Sequence, residues 1–312
     1  MILRCTALLD QVTGDLHCPF YRKNTANIAL ISTKHRAKQR RPRGALRVQA
    51  MSTDLWAFDF DGVVCNSVGE SSRSAWKASA RKWPDLFSKS EVQAKEAEVE
   101  GQMRTVRPVV ETGYENLVQV RCLLEGTSEE DILQNWHSIL PDRMQRWHLD
   151  RQELVELFGS TRDAWMTDNL GDWLAANEIY QGVPAIVQHL RSQGPFYIVT
   201  TKQARFTEAL MHNMAKVPIP SENIFSTTVS GQPKSEILVD LQSQHPGLTY
   251  HFVEDKLGTL EKVCKEEALK SWQLYLVDWG YNTAEERQRA AQNPRIHVVS
   301  LQQLQSATGC KA

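Results

Sequence analysis

The chain has 312 residues, with 36 Lys and Arg against 37 Asp and Glu and a formal net charge of −1, long enough for one large domain or two smaller ones around a proper core. The balance conceals an asymmetry: residues 1–51 hold ten basic side chains and two acids, Asp10 and Asp15, which leaves 26 basic against 35 acidic residues, a net of −9, from Ser52 onward. So acidic a body lacks the positive surface that nucleic-acid binding needs, and no apolar run approaches the roughly 18–20 residues needed to cross a bilayer.

Residues 1–51 show neither helical nor strand periodicity and are rich in Arg, Ser and Thr, the composition of an organelle transit peptide. They end in Arg-Val-Gln-Ala at Arg47 to Ala50, followed by Met51, a junction that resembles the cleavage site of an algal chloroplast leader. A chloroplast destination is expected, with mitochondrial import or an anion-binding basic tail as alternatives. The six cysteines, Cys5, Cys18, Cys65, Cys122, Cys264 and Cys310, form no Cys-x-x-Cys pair and read as free thiols.

Asp54 to Phe60 reads as a short buried strand running into an acidic loop. From Ser67 to about Tyr180 apolar residues recur at three- and four-residue spacing, predicting helices over Ser71 to Lys82, Lys89 to Glu98, Met103 to Leu124, Glu129 to Ile139 and Arg151 to Trp165. Gly101, Gly126, Pro141 and Gly159 punctuate them. After Gly182-Val183-Pro184 the pattern changes. Predicted strands at Phe196 to Thr201, Ile224 to Val229, Tyr250 to Val253, Leu274 to Val277 and Ile296 to Val299 alternate with helices, the signature of a parallel sheet covered on both faces. The expected fold is α/β: a doubly wound, Rossmann-like core over residues 52–66 and 182–312, with an all-helical cap over 67–181 inserted in it.

The chemistry-bearing residues cluster at the carboxyl ends of these strands, where such sheets gather ligands. Asp59 and Asp61, in Phe-Asp-Phe-Asp-Gly-Val-Val at Phe58 to Val64, are two apart and point to one side. Gly62 permits the sharp turn after them. Paired carboxylates repel unless a cation or proton intervenes, and a hard ion such as Mg²⁺ suits them. Thr200 and Thr201 end a later strand, Lys234 opens a helix, and Glu254 and Asp255 end another strand.

In that order these residues resemble the four motifs of the haloacid-dehalogenase superfamily, over Leu55 to Val299. Asn177 to Pro184 and Trp279-Gly280-Tyr281-Asn282 are similar to segments of its phosphoglycolate-phosphatase-like members. The resemblance implies a Mg²⁺-dependent phosphatase acting on a small phosphorylated metabolite, with Asp59 as nucleophile and Asp61 as acid and base. It implies Thr200 or Thr201 and Lys234 as phosphate clamps. The metal would be held by Asp59, the Asp61 backbone carbonyl and Asp255, with Glu254 in its outer shell. Three departures stand out: Pro233-Lys234 reverses the usual Lys-Pro, so Lys202 and Lys256 rival Lys234; Thr201 can replace Thr200; and the fourth motif is a bare Glu-Asp pair.

The presence of Asp61 and of Glu254–Asp255 opposes a metal-free dehalogenase. A phosphonatase would need a Schiff-base lysine in the cap, where Lys77 and Lys82 read as solvated. A sugar-phosphate mutase shares every core residue, and a non-catalytic binding protein is the reading from another class. Trp76, Trp83, Trp136, Trp147, Trp165 and Trp173 read as helix packing, and His137 and His148 as surface or packed residues. Within Met103 to Leu124, Arg107, Glu111, Tyr114 and Glu115 fall at helical steps. They are either one solvated charge ladder or a face that places Arg107 and Tyr114 over the substrate's leaving group.

Overall fold

The computed structural model describes residues Thr53–Cys310; the expected leader over residues 1–51 lies outside the described residues. The first strand, β1 (Asp54–Phe58), alternates its side chains between two apolar layers. Leu55 and Ala57 pack with Ile237, Phe252 and Leu274, whereas Trp56 and Phe58 pack with Val187, Ile198 and Phe206. A strand buried on both faces of a sheet needs this period of two.

After the acidic loop, β2 (Cys65–Asn66) leads into α1 (Val68–Lys82), α2 (Pro84–Phe87), α3 (Ser90–Gln93) and α4 (Glu96–Val106). Next come α5 (Glu115–Leu124), α6 (Glu129–Arg146) and α7 (Arg151–Ala175). These helices close on a separate core that includes Trp76, Met103, Leu117, Ile132, Trp136 and Phe158. The chain leaves the helical block through β3 (Glu178–Ile179), antiparallel to β2, so the two connections lie side by side.

The rest alternates: α8 (Val183–Gln193), β4 (Phe196–Thr200), α9 (Ala204–Asn213), β5 (Ile224–Ser226), α10 (Thr227–Ser230) and α11 (Lys234–Gln244). There follow β6 (Thr249–Glu254), α12 (Leu257–Lys265), β7 (Gln273–Val277), α13 (Ala284–Ala291), β8 (Ile296–Val299) and α14 (Leu301–Ala307). The six long strands form one parallel sheet in the order β5-β4-β1-β6-β7-β8. The fold is therefore the doubly wound α/β sheet expected. The order in which strands are added reverses about β1, which lies between β4 and β6, and ligands gather at such switch points.

The helical block departs from expectation in three places. Pro141, Gly101 and Gly159 do not end helices but lie inside α6, α4 and α7. The last of these runs on to Ala175 through a kink at Asn169, which has φ −151° and ψ 85°. Met103 to Leu124 is not one helix. It breaks into a 3₁₀ turn at Arg107–Val109 and an extended Val110, and α5 starts only at Glu115. Pro108 has no N–H to continue the helical ladder, and the carboxylate of Glu115 accepts from the backbone N–H of Thr112 (2.7 Å) and Glu111 (3.4 Å) instead.

Candidate active site

Register places Phe58 opposite Ile198 of β4 and Val253 of β6, so the residues just beyond these strands share one rim. Asp59, held by its backbone N–H to the carbonyl of Val253 (2.8 Å), meets Glu254 and Asp255 there. One carboxylate oxygen from each of the three lies within 4.8 Å of the others, and all three residues are buried. Lys234 reaches in from the start of α11, 2.9 Å from Asp59 Oδ1 and 2.7 Å from Glu254 Oε2. Of the three rival lysines, Lys234 is the one in contact with Asp59.

Burial pushes the Asp59 carboxyl upward in pKa against the pull of Lys234, and burial raises Glu254 well above the usual carboxylate range. Lys234 is raised as well, but for the opposite reason: burial alone would lower it, and Asp59 and Glu254 overcome that effect. Glu254 is also tied to its own loop, accepting from the N–H of Asp255 (3.2 Å) and Lys256 (3.0 Å). Asp255 Oδ2 accepts from the N–H of Tyr281 at 2.7 Å. A Cβ on Gly62, where φ is +85°, would fall 1.9 Å from Asp255 Oδ2, and one on Gly280 would fall 2.3 Å from Asp255 Cβ. Only glycine fits this cradle on either side of Asp255. Three buried carboxylates against one contacting lysine are short of positive charge, and an all-oxygen donor set suits a hard divalent ion such as Mg²⁺.

Asp61 stands apart from that cluster. Its Oδ1 accepts from Ser67 Oγ (2.6 Å) and Lys202 Nζ (3.2 Å). Burial would raise its pKa, but Lys202, Arg107 and Ser67 together hold it below the ordinary value. Lys202 also lies 3.5 Å from Glu70 Oε2. Glu70 in turn receives a two-point contact from Arg162, at 2.7 and 2.8 Å. The paired connections β2 and β3 form the hinge of the helical block, and Tyr281 fastens it: its hydroxyl accepts from the N–H of Ser67 (2.8 Å) and Val68 (3.1 Å) and donates to Asn66 Oδ1 (2.9 Å).

A cavity of about 240 Å³ joins these parts; Asp59, Asp61, Arg107, Lys234, Glu254 and Asp255 are in its wall. Thr201 lines it as well and donates to the carbonyl of Glu111 (3.0 Å). Thr200 is wholly buried, its hydroxyl accepting from the N–H of Lys202 (3.1 Å). Lys256 donates to the carbonyl of Pro108, and burial lowers its pKa.

The idea of a shared helix face for Arg107, Glu111, Tyr114 and Glu115 is corrected by the break at Pro108. Glu115 is buried and receives the indole N–H of Trp136 at 2.8 Å. Glu111 is exposed and points to Lys262, 3.8 Å away. Arg107 is no member of a solvated ladder: it is only 9% exposed, stacks on Tyr281 at 4.0 Å and gives Nη1 to the carbonyl of Val110. Tyr114 lines a smaller adjoining pocket with Asp61, Arg107, Arg162 and Lys202. Lys77 is exposed, and Lys82 pairs with Glu153 at 3.1 Å, so neither offers a buried amine. Sequence reading missed Ser67, Glu70 and Arg162. Glu70 and Arg162 are 92 positions apart, and each on its own helix looks like an ordinary surface charge.

Fold and site together define a doubly wound α/β protein with a carboxylate-rich strand-end centre beneath a helical block. No family model matches the chain, and neither does any curated protein. Among solved structures it is similar to the putative phosphoglycolate phosphatase of Lactobacillus delbrueckii subsp. bulgaricus, with 12% identity, a TM-score of 0.53, and coverage of 83% of this chain and 99% of that one. A hydrolase of the haloacid-dehalogenase-like family from Streptococcus pneumoniae is also similar, at 12% identity and a TM-score of 0.48, covering 82% of this chain and 98% of that one. The chain has the fold of the Lactobacillus delbrueckii structure.

Proposed function

We propose that the protein is a Mg²⁺-dependent phosphatase that hydrolyses a small phosphate monoester through an aspartyl-phosphate on Asp59. What supports this reading above all is the meeting of Asp59, Lys234 and Asp255 at the sheet's switch point, with Asp61 in the wall of the same cavity. The Asp59 carboxylate attacks phosphorus, and the bond to the leaving oxygen breaks, splitting one hard displacement into two easier ones. Asp61 gives a proton to the leaving oxygen and later takes one from the water that cleaves the aspartyl-phosphate. Asp61 rests ionised, and the arriving phosphate dianion favours its protonated form. Lys234 and the Thr201 hydroxyl hold phosphoryl oxygens, while Glu254 steers Lys234. Mg²⁺, held by Asp59, Asp255 and the backbone carbonyl of Asp61, would neutralise charge developing on the phosphoryl oxygens.

Arg107, in the wall of the same cavity, and Tyr114, in that of the adjoining pocket, would meet the leaving group, which would make the helical block the seat of substrate choice. The test is direct. The chain from Met51 onward should hydrolyse a simple phosphate ester with Mg²⁺ and not after chelation, and Asp59→Asn should abolish turnover while circular dichroism stays unchanged. Undiminished hydrolysis by that variant would sink the assignment. Residues 1–51 are proposed to direct the protein to the chloroplast; a fluorescent fusion carrying them should enter that organelle, and a mitochondrial or cytosolic signal would overturn this.

A further inference from the structure

Glu70 is a fully buried charge to which the chemistry above gives no task. It lies on α1 with 0% of its surface exposed. Ser74 Oγ donates to its Oε1 at 2.6 Å, and Arg162 of α7 grips both oxygens. The guanidinium of Arg162 is itself 4.0 Å from the ring centre of Phe158 and 5.3 Å from that of Phe206. A two-point grip of this kind fixes direction as well as charge. Glu70 and Arg162 both belong to the helical block, yet Oε2 also faces Lys202 Nζ, 3.5 Å away, which comes from the end of β4.

Lys202 is the link. Its side chain is 1% exposed, and its ammonium lies between Glu70 and Asp61 Oδ1, 3.2 Å away. Ser67, at the entrance to the helical block, donates to the same Oδ1. Oδ1 is therefore held from two sides, whereas Oδ2 has no hydrogen-bond partner among the described residues. Two cations and two carboxylates balance in the chain Arg162–Glu70–Lys202–Asp61. Without Glu70, a buried ammonium and a buried guanidinium would both be left to Asp61.

We infer that Glu70 is a positioning residue: through Lys202 it ties the orientation of Asp61 to closure of the helical block over the sheet. The inference rests on the phosphatase reading. With the block closed, Lys202 is shared and Asp61 presents Oδ2 to the leaving oxygen. With the block lifted, Glu70 and Arg162 leave together, and Lys202 pairs with Asp61 alone. The acid is thus aligned only when water is excluded, which protects the reaction from premature proton loss.

The experiment compares two esters with Mg²⁺ present: para-nitrophenyl phosphate, whose leaving group departs without a proton, and a simple alkyl phosphate, whose alkoxide needs one. Glu70→Gln should lower kcat/KM, which reports the reaction only as far as departure of the leaving group, on the alkyl ester by about ten- to a hundredfold, within the contribution general acids make. On the nitrophenyl ester the loss in kcat/KM should stay below about threefold. Equal loss on both esters assigns Glu70 to folding alone, and no loss on either removes its role; each outcome overturns the inference. Should Glu70→Gln fail to fold, Glu70→Asp, which keeps the charge but withdraws it from Lys202, carries the same comparison and the same two outcomes. Inactivity of the unaltered protein on both esters counts against the phosphatase reading itself and leaves Glu70 no reaction to serve.

Discussion

Three buried glutamates show how partners decide what a carboxyl becomes. At Glu70 burial disfavours the ion, but Arg162 and Lys202 outweigh it and hold the pKa below its usual value. At Glu254 the single contacting lysine is shared with Asp59, and burial wins. Glu115 has no cation among its partners, only the indole of Trp136 and two backbone N–H groups, and burial raises its pKa. A carboxyl whose pKa is raised on folding favours the folded state at acid pH. That contribution fades as pH climbs past the unfolded value, about 4.5, toward the raised folded one. Gln at this position does not titrate. The melting temperature of Glu115→Gln should therefore gain on that of the wild type between about pH 4 and pH 7, every tenfold bias against the folded ion being worth about 1.4 kcal/mol. Scanning calorimetry of both proteins across that range checks it; a difference that stays flat with pH would refute the raised pKa.

Among the elements, the sheet was the legible part. Runs such as Phe196 to Thr201 and Ile296 to Val299 are largely apolar, short and bounded by turn residues, and the structure has strands at Phe196–Thr200 and Ile296–Val299. Two-residue strands such as Cys65–Asn66 and Glu178–Ile179 leave no periodic trace, because their pairing depends on the two hinge segments meeting in space. The break at Arg107–Pro108 was visible as a proline, yet the surrounding apolar spacing suggested continuity. What settles it is Glu115 accepting from Glu111 and Thr112, a local bond that competes with the helix. This break turns the Pro108 carbonyl to Lys256 and the Glu111 carbonyl to Thr201, so the loop that carries Arg107 is docked on the sheet's rim. Strand-end residues of the site were likewise readable, since a parallel sheet delivers them to one edge. The Glu70–Arg162–Lys202 contacts were not, because they depend on how the helical block lies on that edge.

Over the molecule as a whole, the proposed metal site joins residues that the unfolded chain keeps far apart: Asp59 follows β1 and Asp255 follows β6. A divalent ion would therefore find its ligand set only in the folded protein, and its binding would add stability by mass action. At a hundred times its Kd the gain is about 2.7 kcal/mol. A chain of this size gains roughly 2–4 °C in Tm per kcal/mol, so Mg²⁺ should raise the Tm of the wild type by about 5–10 °C over the chelated protein. The same geometry predicts the opposite behaviour for Asp255→Asn. Removing one of three crowded carboxylates relieves repulsion, so without metal the variant should melt no lower than the wild type. An asparagine oxygen can still accept from the N–H of Tyr281, which now bonds Asp255, so the loop keeps its anchor. The response to Mg²⁺, however, should disappear together with activity. Stability would then be bought at the expense of function, as is common where like charges are held together for catalysis. An equal Mg²⁺ shift in both proteins, or none in the wild type, would show that Asp59 and Asp255 do not hold the ion.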